Sequence, residues 1–109
     1  MAWTVADSGT QTATISTEHT LDEETAAGTY VFSVDNAAVM VLGDVLVLRA
    51  YKKIDGTNYA LLFEFTYQHV QTKSVIFPAI SLASGKGLKF TLQQTAGTGR
   101  AFPWLVEVI

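Results

Sequence analysis

The feature that most constrains this chain is a repeated two-residue alternation of apolar and polar side chains. Tyr30, Phe32 and Val34 fall on one side of an extended segment, with Thr29, Val31, Ser33 and Asp35 on the other. The same period returns at Leu88, Phe90 and Leu92, and again at Phe102, Trp104, Val106 and Val108. Side chains of an extended backbone point to opposite faces in turn, so this pattern specifies strands with one face buried. Helix signals are nearly absent. The single helix-tolerant stretch is Leu21 to Ala27, whose Asp22-Glu23-Glu24 run reads as a solvated acidic turn.

Following the alternation along the chain gives the expected strand path. Residues 1–9 read as a polar N-terminal arm, and Thr10 to Thr20 as a strand exposed on one face or lying at an edge. Asn36 to Leu42 is small and apolar, consistent with a short strand or with a loop tucked beneath the sheets. Val45 to Lys53 and Asn58 to His69 form a pair around Asp55-Gly56, a dipeptide that tolerates the positive φ angles of a hairpin turn. On the second of these strands Tyr59, Leu61, Phe63, Phe65 and Tyr67 share a face and are expected at the centre of the core. Pro78 interrupts Ser74 to Leu82, placing that strand at an edge or a bulge. The expected fold is therefore all-β: one domain over residues 1–109, an antiparallel β-sandwich, jelly-roll-like, of about seven to eight strands. A small closed barrel fits the same spacing.

Composition narrows the function classes. The chain has 109 residues, 49% of them hydrophobic and 16% charged, with a formal charge of -3 spread along its length. A polyanion ligand calls for clustered Lys and Arg, so nucleic acid is not an expected partner. No segment approaches the roughly 20 apolar residues of a membrane-spanning helix, and the N-terminus lacks the basic and apolar regions of a signal peptide. No membrane association is expected. Cysteine is absent, so the fold needs no oxidising compartment and can form in a reducing cytoplasm.

Catalytic and cofactor motifs are equally sparse. His19 and His69 are the only histidines, too few for the usual zinc cluster, and each reads as a solvated residue near a strand end. Asp22-Glu23-Glu24 lacks the alternating oxygen ligands of a calcium loop. Ser84-Gly85-Lys86-Gly87 and Gly97-Thr98-Gly99-Arg100 match no phosphate loop and precede no helix. No G-x-S-x-G elbow marks a nucleophile. Glu64 and Glu107 are the carboxylates placed within strands, where a glycosidase pair would have to be sought. The expectation is a protein that binds rather than catalyses, with no cofactor and no metal.

The remaining signals concern surfaces. Trp3 is a large apolar group in a polar arm. Leu105 and Ile109 oppose the Trp104 face of the last strand, and Val45 and Val47 oppose Leu46 and Leu48, so both strands are apolar on two sides. A domain of this size has little capacity to bury both faces of two strands internally. With Val5 in the arm and Arg100 before the last strand, Trp3, Val45, Val47, Leu105 and Ile109 form the set of candidate intersubunit contacts.

Tyr51-Lys52-Lys53-Ile54-Asp55-Gly56-Thr57-Asn58-Tyr59, followed by the run from Gly87 to Trp104 that includes Gln93-Gln94-Thr95-Ala96-Gly97-Thr98-Gly99-Arg100, resembles small proteins encoded among the structural genes of tailed bacteriophages. The resemblance covers about the C-terminal two thirds of the chain, and the N-terminal third contributes little to it. It implies a virion component of the capsid surface, made in the host bacterial cytoplasm: a cement or decoration protein whose sandwich clamps neighbouring copies of the major capsid protein, often as a trimer. It carries no catalytic or ligand motif. The competing reading is a carbohydrate- or receptor-binding sandwich of a tail or fibre, with Tyr51 and Tyr67 as sugar-stacking rings; an enzyme is the third and weakest.

Overall fold

A computed structural model describes residues 2–109. Among them nine strands and no helix are found: β1 (Thr4–Thr12), β2 (Glu18–Glu24), β3 (Gly28–Val34), β4 (Val45–Lys52), β5 (Ala60–Gln68), β6 (Val75–Ile76), β7 (Ile80–Leu82), β8 (Leu88–Ala96) and β9 (Ala101–Val108). They form two antiparallel sheets. The first has the order β1-β9-β3-β6, with β7 also paired to β3; the second has the order β2-β8-β4-β5. The pairing nests from the chain ends inward: β1 with β9, β2 with β8, β3 with β6 and β7, and β4 with β5. Consecutive strands therefore alternate between the sheets until the β4–β5 hairpin closes the series.

The alternation read from the sequence places the core. Tyr30, Phe32 and Val34 of β3, Phe102 and Val106 of β9, Leu46, Leu48 and Ala50 of β4, and Leu88, Phe90 and Leu92 of β8 are all buried between the sheets. Phe32 stacks on Phe90 at 4.8 Å and meets the edge of Phe77 at 5.1 Å, joining the two layers through aromatic faces. Phe77 is held there because the chain breaks at Pro78 into β6 and β7, and the Phe77 amide donates to the Phe32 carbonyl at 2.8 Å.

Four local expectations are revised, and the choice left open at Asn36 to Leu42 is decided. The N-terminal arm enters the fold at Thr4, where β1 adds to the edge of the first sheet by pairing with β9; its polar sequence suits an edge strand that is mostly exposed. Thr10 to Thr20 is not one strand, because the chain turns at residues 13–17 and crosses to the other sheet. Asp22-Glu23-Glu24 is not a solvated turn but the end of β2, and Asp22 is only 7% exposed. Asn36 to Leu42 is a loop with Asn36 and Met40 buried beneath the sheets. The apolar face expected at the core centre lies on β5, an edge strand, so Phe63, Phe65 and Tyr67 are half-buried. A bulge opposite Ala50 and Tyr51 turns Leu61 outward. The strand count is nine rather than seven to eight because the N-terminal segment is a strand and Pro78 splits another.

Candidate functional site

The two outer faces of the sandwich differ in kind. On the second sheet, the outward side carries polar residues of β4, β8, β2 and β5 that are bonded to one another, beside Val45, Val47 and Leu61. Arg49 donates from Nε to Glu64 Oε2 at 2.6 Å and from Nη1 to Gln93 Oε1 at 2.7 Å, and stands 3.4 Å from Glu18 Oε1. The other oxygen of Glu18 accepts from Tyr51 Oη and Thr91 Oγ1, each at 2.6 Å. Burial alone would raise the Glu18 carboxyl, but these two hydroxyl donors and the Arg49 charge outweigh it and hold the group below the usual range. Lys89 lies 4.6 Å from the ring centroids of both Tyr51 and Tyr59, and Lys53 caps Tyr59 at 4.8 Å. The aromatic faces that would stack on a sugar are covered by the protein's own lysines, while Tyr67 packs inward on the core.

The first sheet presents the opposite surface. Cα partners on neighbouring strands share a face, so the register sets the rows. Ser8, Leu105, Ser33 and Ile76 lie in one row, and Val5, Glu107 and Val31 in the next. Ile109 exchanges both backbone hydrogen bonds with Thr29, at 3.0 and 3.1 Å, and so extends the outer face by one more row. Trp3, immediately before β1, continues that strand's alternation. Val5 is 62% exposed, Ile76 68%, Trp3 44% and Ile109 36%. The side chains between these apolar groups are mostly Ser and Thr, and Glu107 is the charged group in the middle. At one end of this face a groove of about 360 Å³ is lined by Ser33, Asp35, Ser74, Pro103, Trp104 and Leu105, among others. Ser74 Oγ donates to Asp35 Oδ1 across it at 2.7 Å.

Four of the seven candidate contacts from the sequence, Trp3, Val5, Leu105 and Ile109, thus meet on this one face. The other three lie elsewhere. Val47 points outward from the second sheet yet is only 8% exposed, covered by its own neighbours, and Val45 beside it is half-buried. Arg100 donates from Nε to Asp44 Oδ2 at 3.0 Å in the loops at one end of the sandwich. The Val41 amide donates to the same oxygen at 3.0 Å. Burial would raise the Asp44 carboxyl, but the Val41 amide and the Arg100 guanidinium hold it below the usual range. Gly97, at φ 93°, admits this arrangement: a Cβ there would strike the Asp44 side chain. Gln94 completes the cluster, donating to the carbonyls of Ala96 and Thr98 and accepting from the Arg100 amide at 3.0 Å.

Neither histidine is simply solvated. His19 Nε2 accepts from the Thr14 amide and His69 Nδ1 from the Gly43 amide, each at 3.0 Å, so both pin loops at the Asp44 end. Glu64 and Glu107 lie on opposite faces of the sandwich and cannot act as a pair. Among the described residues, no group of three or more His, Asp or Glu side chains is arranged to hold a metal ion.

Sequence reading missed one feature, the open seam between the edge strands β1 and β2. Asp22 pairs in register with the buried Phe90, Glu24 with the buried Leu88, and Asp7 with the buried Val106, so all three fall on the inner side of their strands, with Asp22 buried, Glu24 half-buried and Asp7 exposed at the edge. Bulges at Ala6 and Leu21 make this registration, and nothing in a list of residues announces a bulge. Compared with family models, with curated proteins and with solved structures, the chain matches none.

Proposed function

We propose that this chain is a non-catalytic virion structural protein that docks the outer face of its first sheet onto another protein, as a capsid cement or decoration protein docks onto the major capsid shell. The observation that carries the docking reading is the asymmetry of the two faces: one is tied together by its own polar network and exposes Leu61 as its large apolar group, and the other leaves Trp3, Val5, Ile76 and Ile109 in water. Large exposed apolar groups gathered on one face are costly for a monomer and common where proteins meet. The setting on a phage capsid rests on the resemblance of Tyr51 to Tyr59 and Gly87 to Trp104 to tailed-phage structural proteins. The charges on the docking face are Glu107 and Asp35, so a matching surface offers apolar anchors flanked by Lys or Arg.

We also read the fold as a jelly roll. The nested pairing, with sheet orders β1-β9-β3-β6 and β2-β8-β4-β5, is what a long hairpin rolled across two sheets gives when β6 and β7 count as one broken strand. That winding sets the first sheet's outer face apart from the loops and brings the first and last strands, β1 and β9, side by side in it. A homotrimer on the shell is the assembly that the resemblance implies.

The test is co-sedimentation of the purified chain with tailed-phage capsid shells assembled without it, alongside its mass in solution. Saturable binding to shells is expected. A chain that stays in the supernatant and binds glycans in an array instead would replace this reading with carbohydrate or receptor binding.

A further inference from the structure

The β1–β2 seam holds an unusual group. Asp22 is 7% exposed, and its Oδ2 is buried with no hydrogen-bond partner. A buried carboxylate needs a counter-charge, a set of donors or a proton. The groups around it are the wrong sign for the first: Glu24, half-buried, lies two residues along the same strand, and Asp7, exposed and accepting from the Ser8 amide at 2.8 Å, comes from β1. From β3, Tyr30 feels Glu24 and Asp22 but gives its hydroxyl to the Ala26 carbonyl at 2.8 Å. Phe90, Val106 and Leu88, opposite the three acids, are apolar. His19 lies further along the seam, engaged with the Thr14 amide, and Lys89 is on the outer face over Tyr51 and Tyr59. Burial, then Glu24 and Asp7, push the Asp22 carboxyl up to about 8.

We propose that Asp7, Asp22 and Glu24 form a proton-operated clasp that closes the open edge of the sandwich. With a proton held among them, Asp22 donates to a neighbouring carboxylate and ties β2 to β1. Without it, three like charges face one another across the seam and drive the edge strands apart. β1 yields first, because it is an edge strand that is mostly exposed and held by β9 alone. Since β1 carries Val5 and follows Trp3, loss of the proton also disorders half of the docking face. That consequence rests on the docking reading; the clasp does not.

The clasp is tested on the isolated chain, with no shell present, so its failure and a failure of docking are distinguishable. Amide hydrogen-exchange protection, corrected for the intrinsic pH dependence of exchange, is compared at about pH 6 and about pH 9.5. Protection of β1 is expected to fall by about tenfold or more over that interval while β4 and β8 stay unchanged. Asp22→Asn, whose amide donates to Asp7 and Glu24 as the protonated acid would, abolishes the fall, and Asp7→Asn reduces it by removing one charge. A β1 protection that does not change with pH overturns the clasp, as does a fall that persists undiminished in both variants. A carboxyl-carbon NMR titration of the unsubstituted chain gives a second check: an Asp22 midpoint in the ordinary carboxylate range also overturns it.

Discussion

The outer faces of the two sheets are built from strands of similar length in one small domain, yet they solve the problem of exposure differently. On the second sheet Arg49 satisfies Glu64, Glu18 and Gln93 together, and Tyr51 and Thr91 complete Glu18. Arg49, Glu18, Glu64 and Gln93 there all find their bonds within the chain. On the first sheet the outward groups are Val, Ile, Leu and Trp among Ser and Thr, with Glu107 in the middle and the Ser74–Asp35 bond at the groove, and no comparable network spans the strands. The lesson is that a sheet face closed on itself has little left to offer a partner, whereas an apolar face gains from being covered.

The largest expected effect breaks this contrast at its centre. Leu105→Asp adds a charge beside the groove that a partner would have to bury, and should weaken shell binding by about 2–4 kcal/mol, the cost of a hot-spot residue. Circular dichroism should show the fold intact, since Leu105 faces outward. Next comes the end cluster, which supports both faces through the loops. Arg100→Ala leaves Asp44 buried without its counter-charge, and should lower stability by about 2–3 kcal/mol in urea unfolding at neutral pH. The Asp44 contribution is present above the usual carboxylate range and is lost as pH falls through its depressed native value.

Asp22 has the opposite sign. Its native value, about 8, lies above its unfolded one, so between about pH 4 and about pH 8 the unfolded chain has released a proton that the native chain still holds. Stability should fall as pH rises through that window and level off above it. Asp22→Asn should therefore raise the Tm by several degrees near pH 8 and change it little near pH 4, as read by calorimetry. The smallest effect belongs to the polar face: Arg49→Met should cost about 1 kcal/mol and leave shell binding unchanged, because Met keeps the covered stem packed and the partners Glu18 and Glu64 remain partly open to water. A loss of binding in that variant would reverse the comparison.

How much of this was legible in the sequence follows from the period-two rule and its exceptions. Where alternation runs unbroken, as in Tyr30-Phe32-Val34 or Leu88-Phe90-Leu92, it gave both the strand and its buried face. Trp3, Val5, Leu105 and Ile109 were marked by being apolar in the wrong phase or in polar company, and the register of β1, β9 and β3 brought them together. Bulges defeated the same rule: those at Ala6 and Leu21 placed Asp7 and Asp22 on the inner side, and the one near Leu61 turned an expected core residue outward. Val47 was misleading for another reason. It is in the wrong phase, but Thr66 and Gln93 flank it on β5 and β8, and a sequence does not reveal which neighbours a strand will have. Arg100 and Asp44 lie 56 residues apart, a pairing set only by the nesting of the strands.

The most direct measurement is co-sedimentation of three forms of the chain with phage shells assembled without it: unsubstituted, Leu105→Asp and Arg49→Met. The account predicts that the first and third pellet with the shells equally and that Leu105→Asp stays in solution while remaining folded. Equal binding by all three, or loss confined to Arg49→Met, would contradict the assignment of the first sheet's outer face as the docking surface.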